Sequence, residues 1–104
     1  MNIVGICACV AGIAHTYLAQ ENLLLAGKKR GHKISIETQG VIGQENKLTE
    51  QDIENADVVI LACDVSVSGL DRFKGKRVVE VPTKIAVKNS EALIQRIEEM
   101  VKGS

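Results

Sequence analysis

Behind Asp57, the run Val58-Val59-Ile60-Leu61-Ala62 is aliphatic at every position. A strand with no polar face fits only the middle of a sheet covered on both sides, the environment of a central parallel strand. Asn2 to Ala8 reads the same way, short and rich in Ile and Val. Two such strands in one chain require two layers of cover, and the segments between them have helical periodicity.

From about Gly12 or Ile13 the pattern turns helical, with Ala14, Leu18, Asn22, Leu25 and Ala26 on one face and Ala19 and Leu23 widening it. Lys28, Lys29 and Arg30 suit a last helical turn, and Gly31 a stop. Lys33 to Glu37 alternates with period two, as a strand nearer the sheet edge does. A loop is expected over Gln39 to Asn46. Thr49 and Asp52 have capping-box spacing and open a short helix ending near Ala56. Val78, Val79 and Val81 form a fourth strand, and Ser90 to Val101 a closing helix with Leu93, Ile94, Ile97, Met100 and Val101 inward. The order predicts an α/β fold: a doubly wound three-layer sandwich around a mostly parallel four-stranded sheet, strand order 2-1-3-4, in one domain over 1–104. Ligands of such folds sit beyond the carboxyl ends of the strands. There the Cys9 loop, the loop after Gln39 and the segment after Cys63 should gather.

Composition narrows the partners. Thirteen basic and thirteen acidic residues leave no net charge to steer the chain toward nucleic acid or an anionic membrane. One Phe, one Tyr and no Trp argue against a base-stacking surface. Three cysteines without framework spacing, and no secretory signal, point to a reducing, cytoplasmic setting. Ile3 to Ala19 lacks formal charge, yet it carries His15, Thr16 and Tyr17 and breaks at Gly12, so it is a poor membrane span. Met1 at the start of the first strand and the short end after Met100 are those expected of a small separate subunit.

The chemistry gathers in Cys9-Val10-Ala11-Gly12-Ile13-Ala14-His15-Thr16. A cysteine at a strand end, followed by a small-residue loop and a helix, meets unsatisfied backbone N–H groups and the positive end of the helix dipole. Both stabilise a thiolate, and both bind phosphate. Five residues between a cysteine and a basic-hydroxyl pair let the loop curl around a tetrahedral anion. Tyrosine-phosphatase-like enzymes place Arg at the basic position, whose fork supports hydrolysis. This chain has His15, an arrangement suited to passing the phosphoryl group on.

These residues resemble the IIB component of the fructose family of the bacterial phosphoenolpyruvate:sugar phosphotransferase system. The family pattern Cys-Pro-Thr-Gly-Ile-Ala-His-Thr is matched at Cys9, Gly12, Ile13, Ala14, His15 and Thr16. Further similarity lies in Glu37-Thr38-Gln39-Gly40, Leu48-Thr49 with Asp52-Ile53, Ala56 to Ala62, and Arg72-Phe73 with Gly75-Lys76. The resemblance implies a cytoplasmic phosphocarrier at the membrane permease, with Cys9 as nucleophile and phosphocysteine. Val10, Ala11, Gly12, Ile13, Ala14, His15 and Thr16 would cradle the phosphate. Its partners would be a IIA phosphohistidine domain and a IIC membrane permease that delivers the phosphoryl group to a fructose-like sugar; no cofactor, metal or nucleic acid is implied. Val10 replaces the family's Pro, relaxing φ, and Ala11 replaces its Thr, removing a hydroxyl donor.

Two rivals are a free-standing cysteine-loop phosphatase or reductase, and a nucleotide-binding or regulatory module. The first lacks the Arg and an obvious acid; the second lacks a Walker or dinucleotide glycine pattern after the first strand. Cys7 reads as core filling. Cys63 ends the central strand, close enough to Cys9 for an oxidative disulfide if the two strands are neighbours. Asp64 reads as an exposed turn carboxylate and His32 as a surface residue.

Overall fold

A computed structural model describes residues 1–9, 14–40 and 43–102. Strand β1 covers Asn2–Ala8 and helix α1 Ala14–Lys29; β2 is Lys33–Gly40, β3 Gly43–Glu45, α2 Glu50–Glu54 and β4 Val58–Cys63. A 3-10 turn at Leu70–Phe73 leads to β5, Val78–Val81, then α3, Thr83–Lys88, and α4, Ser90–Lys102. The sheet order is β3-β2-β1-β4-β5, parallel except for the β2–β3 pair. The four parallel strands thus stand in the expected order, and a fifth, β3, is added at the edge. It arises inside the expected Gln39–Asn46 loop: β2 continues to Gly40, and Gly43 to Glu45 return antiparallel along it. Without an apolar alternation, that short edge strand left no hydrophobic signal.

Both faces of the central strands are covered, as their composition demands. Ile3, Cys7, Val58 and Ile60 face a cluster closed by Ala19, Leu23 and Ala26 of α1 and Leu93, Ile94 and Ile97 of α4. Val4, Ile6, Val59 and Leu61 face the other way, onto Leu48, Ile53 and Phe73. Each fully buried Ile or Val contributes roughly 1.5–3 kcal/mol relative to exposure.

Helix α1 lies rotated from the expected face. Its inner residues are Thr16, Ala19, Leu23, Ala26 and Gly27, whereas Leu18 and Leu25 are 43% and 60% exposed. Close approach decides this. A Cβ at Gly27 would come within 2.8 Å of the Ile34 side chain, so the small-residue stripe faces the sheet. Gly31, with φ 80°, supplies the left-handed turn that ends the helix segment. Met100, expected inward on α4, is 42% exposed near the helix end. His32 is half-buried, not simply a surface residue: its Nε2 lies 2.5 Å from Glu98 Oε2, and Arg30 binds the same carboxylate at 2.7 and 2.8 Å.

Candidate functional site

Cys9 is the first residue past β1, at the carboxyl end of the parallel strands, and is buried at 6% exposure. Thr16, in the first turn of α1 and fully buried, donates its hydroxyl to Cys9 Sγ at 3.3 Å. A polar side chain on the inner face of α1 is thereby satisfied by the cysteine sulfur. Of the expected cradle, the structure places Cys9, His15, Thr16 and the backbone of Ala14. Val10, Ala11, Gly12 and Ile13 lie outside the described residues, as does the side chain of Ala14.

The other two cysteines differ in kind. Burial, reinforced by Cys63, pushes the Cys7 thiol up to about 12, and burial pushes Cys63 up to about 11. Both stay protonated at neutral pH. Cys63 donates to the Ile6 carbonyl at 3.4 Å and packs on the α2 side of the sheet, while Cys9 is engaged by α1 on the opposite side. The two thiols therefore address different layers, although their strands are neighbours.

Asp64 proves to be more than an exposed turn carboxylate. Its backbone N–H donates to the Ala8 carbonyl at 2.9 Å, fixing the chain beside Cys9. Its carboxylate accepts the Thr83 hydroxyl at 2.6 Å and the Thr83 N–H at 3.0 Å, so it caps α3 from across the sheet end. The Thr83 hydrogen bonds hold the carboxyl below its ordinary value, with His15 adding a smaller favourable charge. His15, exposed on α1, joins Asp64, Thr83, Lys84, Val87 and Lys88 around an open groove of about 260 Å³. Sequence reasoning missed Lys84 and Lys88 because α3 is a six-residue helix too short for a periodic pattern. Pro82 before Thr83 was the available start signal.

Among the described residues, no group of three or more His, Cys, Asp or Glu is placed to hold a metal ion. None of the described helices is long and apolar enough to cross a membrane.

The family model described as "PTS system, Lactose/Cellobiose specific IIB subunit" matches residues 4–96, nearly the whole chain. The chain belongs to the IIB family of the sugar phosphotransferase system. A fructose-like EIIB component 2 of Escherichia coli K12 is 45% identical over 96 residues, covering 92% of this chain and 91% of that protein. A fructose-specific EIIB'BC component of Xanthomonas campestris is 48% identical over 94 residues, 90% of this chain but 16% of that protein. The solution structure of an enzyme IIB subunit from Escherichia coli K12 superposes with a TM-score of 0.92 at 37% identity, covering 98% of this chain and 94% of that one.

In this IIB fold the remaining motifs of the resemblance meet in space. Glu37 is fully buried, and Arg72 grips its two oxygens at 2.9 and 3.1 Å. Gln39 donates to the same carboxylate at 2.8 Å, and the Leu48 N–H at 3.0 Å. Burial alone would push this carboxyl up, but the bonds from Arg72, Gln39 and Leu48 prevail and hold it below its ordinary value. Gln39 also exchanges hydrogen bonds with the Ser68 backbone at 2.8 and 3.0 Å. Lys76 donates to the carbonyls of Glu54 and Ala56. The Glu37, Gln39 and Arg72 bonds tie the segments after β3 and β4 to β2 toward the carboxyl end of the sheet, whereas the Lys76 bonds lie at the opposite end, ahead of β4 and β5.

Proposed function

We propose that this IIB chain is a phosphocarrier that works through Cys9. The thiolate sulfur attacks the phosphorus of a IIA phosphohistidine; the S–P bond forms as the P–N bond breaks, and the imidazole leaves. A hydroxyl oxygen of a fructose-like sugar, held by a IIC permease, then attacks the same phosphorus. The S–P bond breaks, the thiolate returns, and the hydroxyl proton passes to a base on the permease side or to solvent. Residues 1–104 act as one IIB domain, cytoplasmic and docked at the membrane permease. The fructose-like names of the relatives favour that sugar class, and the fused EIIB'BC relatives favour a IIC partner.

One observation carries this reading: Cys9 stands between the end of β1 and the first turn of α1, with Thr16's hydroxyl on its sulfur. That hydroxyl donates to the sulfur that must act first as nucleophile and then as leaving group. Transfer is favoured over hydrolysis by what surrounds it. Arg72 is committed to Glu37, and Asp64 is committed to Thr83 and ionised, so neither serves as a phosphatase's clamp or general acid. Incubation with phosphorylated IIA should label the wild-type protein on Cys9, and the isolated protein should not turn over an aryl phosphate. Steady aryl-phosphate hydrolysis would favour the phosphatase reading instead.

A further inference from the structure

Thr38 is 1% exposed, and its hydroxyl oxygen has no hydrogen-bond partner among the described residues. A buried hydroxyl is ordinarily paired, and an orphan calls for a reason. Three placements give one. In the parallel register Thr38 stands beside Cys7, two residues before Cys9. Glu37 faces Leu48 and Arg72 on the α2 side, so strand alternation turns Thr38, with Ile34 and Ile36, toward α1. The helix supplies the height: Gln20 of α1 donates to the Ile36 carbonyl at 3.0 Å. Thr16 lies one turn earlier, about 6 Å along the helix, and Thr38 two residues later, about 6.6 Å along the strand. Since the helix runs back along the sheet, both displacements point to its carboxyl end. Thr38 therefore lies on the α1 face of the strand beside β1, two residues short of Cys9 and on the same side of the sheet as Thr16, whose hydroxyl already touches Cys9 Sγ.

We propose that Thr38 is a phosphoryl-binding residue, its orphaned hydroxyl donating to an oxygen of the tetrahedral dianion carried on Cys9. This rests on the phosphocarrier reading above. It assigns a side-chain donor on β2, where Ala11 in the cysteine loop has no hydroxyl. The hydroxyl is unpaired among the described residues and engaged once the anion arrives, so the interaction strengthens with phosphorylation rather than with folding.

The test compares the full chain with Thr38→Val, which keeps the shape, and Thr38→Ser, which keeps the hydroxyl. Unphosphorylated Thr38→Val should unfold at the same temperature as wild type or higher, because it deletes an unpaired polar atom. Its rate of phosphoryl acceptance from phosphorylated IIA should fall about ten- to a hundredfold, the size of one hydrogen bond to a charged group. Its affinity for inorganic phosphate, followed by NMR titration, should fall in parallel, while Thr38→Ser stays near wild type in both. Wild-type rates and phosphate affinity in Thr38→Val would overturn the proposal. So would a loss of stability in unphosphorylated Thr38→Val large enough to account for the slower transfer. If wild type takes no label on Cys9, the phosphocarrier reading fails instead, and the inorganic phosphate titration still decides whether Thr38 binds the anion.

Discussion

Replacing Arg72 by Met should destabilise the domain by about 3 kcal/mol at neutral pH, the lower end of what breaking a buried ion pair costs. The lower end applies because the Arg72 side chain is 20% exposed while Glu37 is 0% exposed, so only one partner is fully cut off from water. The guanidinium gives up two bonds to Glu37, one to the Gly69 carbonyl at 2.7 Å, and its position over the Phe73 ring. Among the described residues Glu37 then keeps Gln39 and the Leu48 N–H. With a urea slope of roughly 1–1.5 kcal/mol per M, the midpoint should drop by about 2–3 M. The sign with pH is diagnostic. In wild type the Glu37 carboxyl is held below its ordinary value, so its stabilisation is full above the carboxylate range and lost as pH falls through it. In Arg72→Met burial dominates and lifts the carboxyl, so the penalty grows as pH rises and vanishes in acid. The gap between the two proteins should be widest at pH 7 and narrow steadily toward pH 4. Adding Glu37→Gln to Arg72→Met should recover part of the loss, since it removes the buried charge. Equal urea midpoints at pH 7, or a gap that does not narrow in acid, would refute the assignment of Glu37 as a buried, Arg-compensated carboxylate.

Asp64→Ala removes the cap of α3 and should cost about 1 kcal/mol at neutral pH by urea unfolding. Because Thr83 holds that carboxyl below its ordinary value, the difference should close as pH falls below the carboxylate range; a cost unchanged in acid would count against the cap. Gly5→Ala places a Cβ 2.7 Å from the Ile60 carbonyl oxygen, between two central strands that cannot separate. It should lower stability by roughly 1–3 kcal/mol in thermal unfolding, as overpacking does, and an unshifted melting temperature would show that the strands yield there.

The central strands were legible because burial on both faces writes itself as uninterrupted aliphatic sequence, and β1 and β5 fall where Asn2–Ala8 and Val78–Val81 place them. Capping chemistry is equally local: Thr49 and Asp52 form the reciprocal bonds their spacing announced. What escaped was set by distance in space. The inner face of α1 follows from how closely Gly27 and Ala26 let the helix approach Ile34, not from where its leucines lie. Helix α3 is stabilised at its start by Asp64, 19 residues away, so its own six residues carry little signal. The candidate site divides in the same way. Cys9 and Thr16 declare themselves through one motif, whereas Thr38 enters only through strand register and an unpaired oxygen.

The atom that takes the phosphoryl group decides whether Cys9 is the carrier. Incubating the protein with phosphorylated IIA and mapping the modified peptide by mass spectrometry identifies it directly. One phosphoryl group on Cys9, absent from a folded Cys9→Ser variant, is the predicted result. Label on His15, or label that survives Cys9→Ser unchanged, would contradict it.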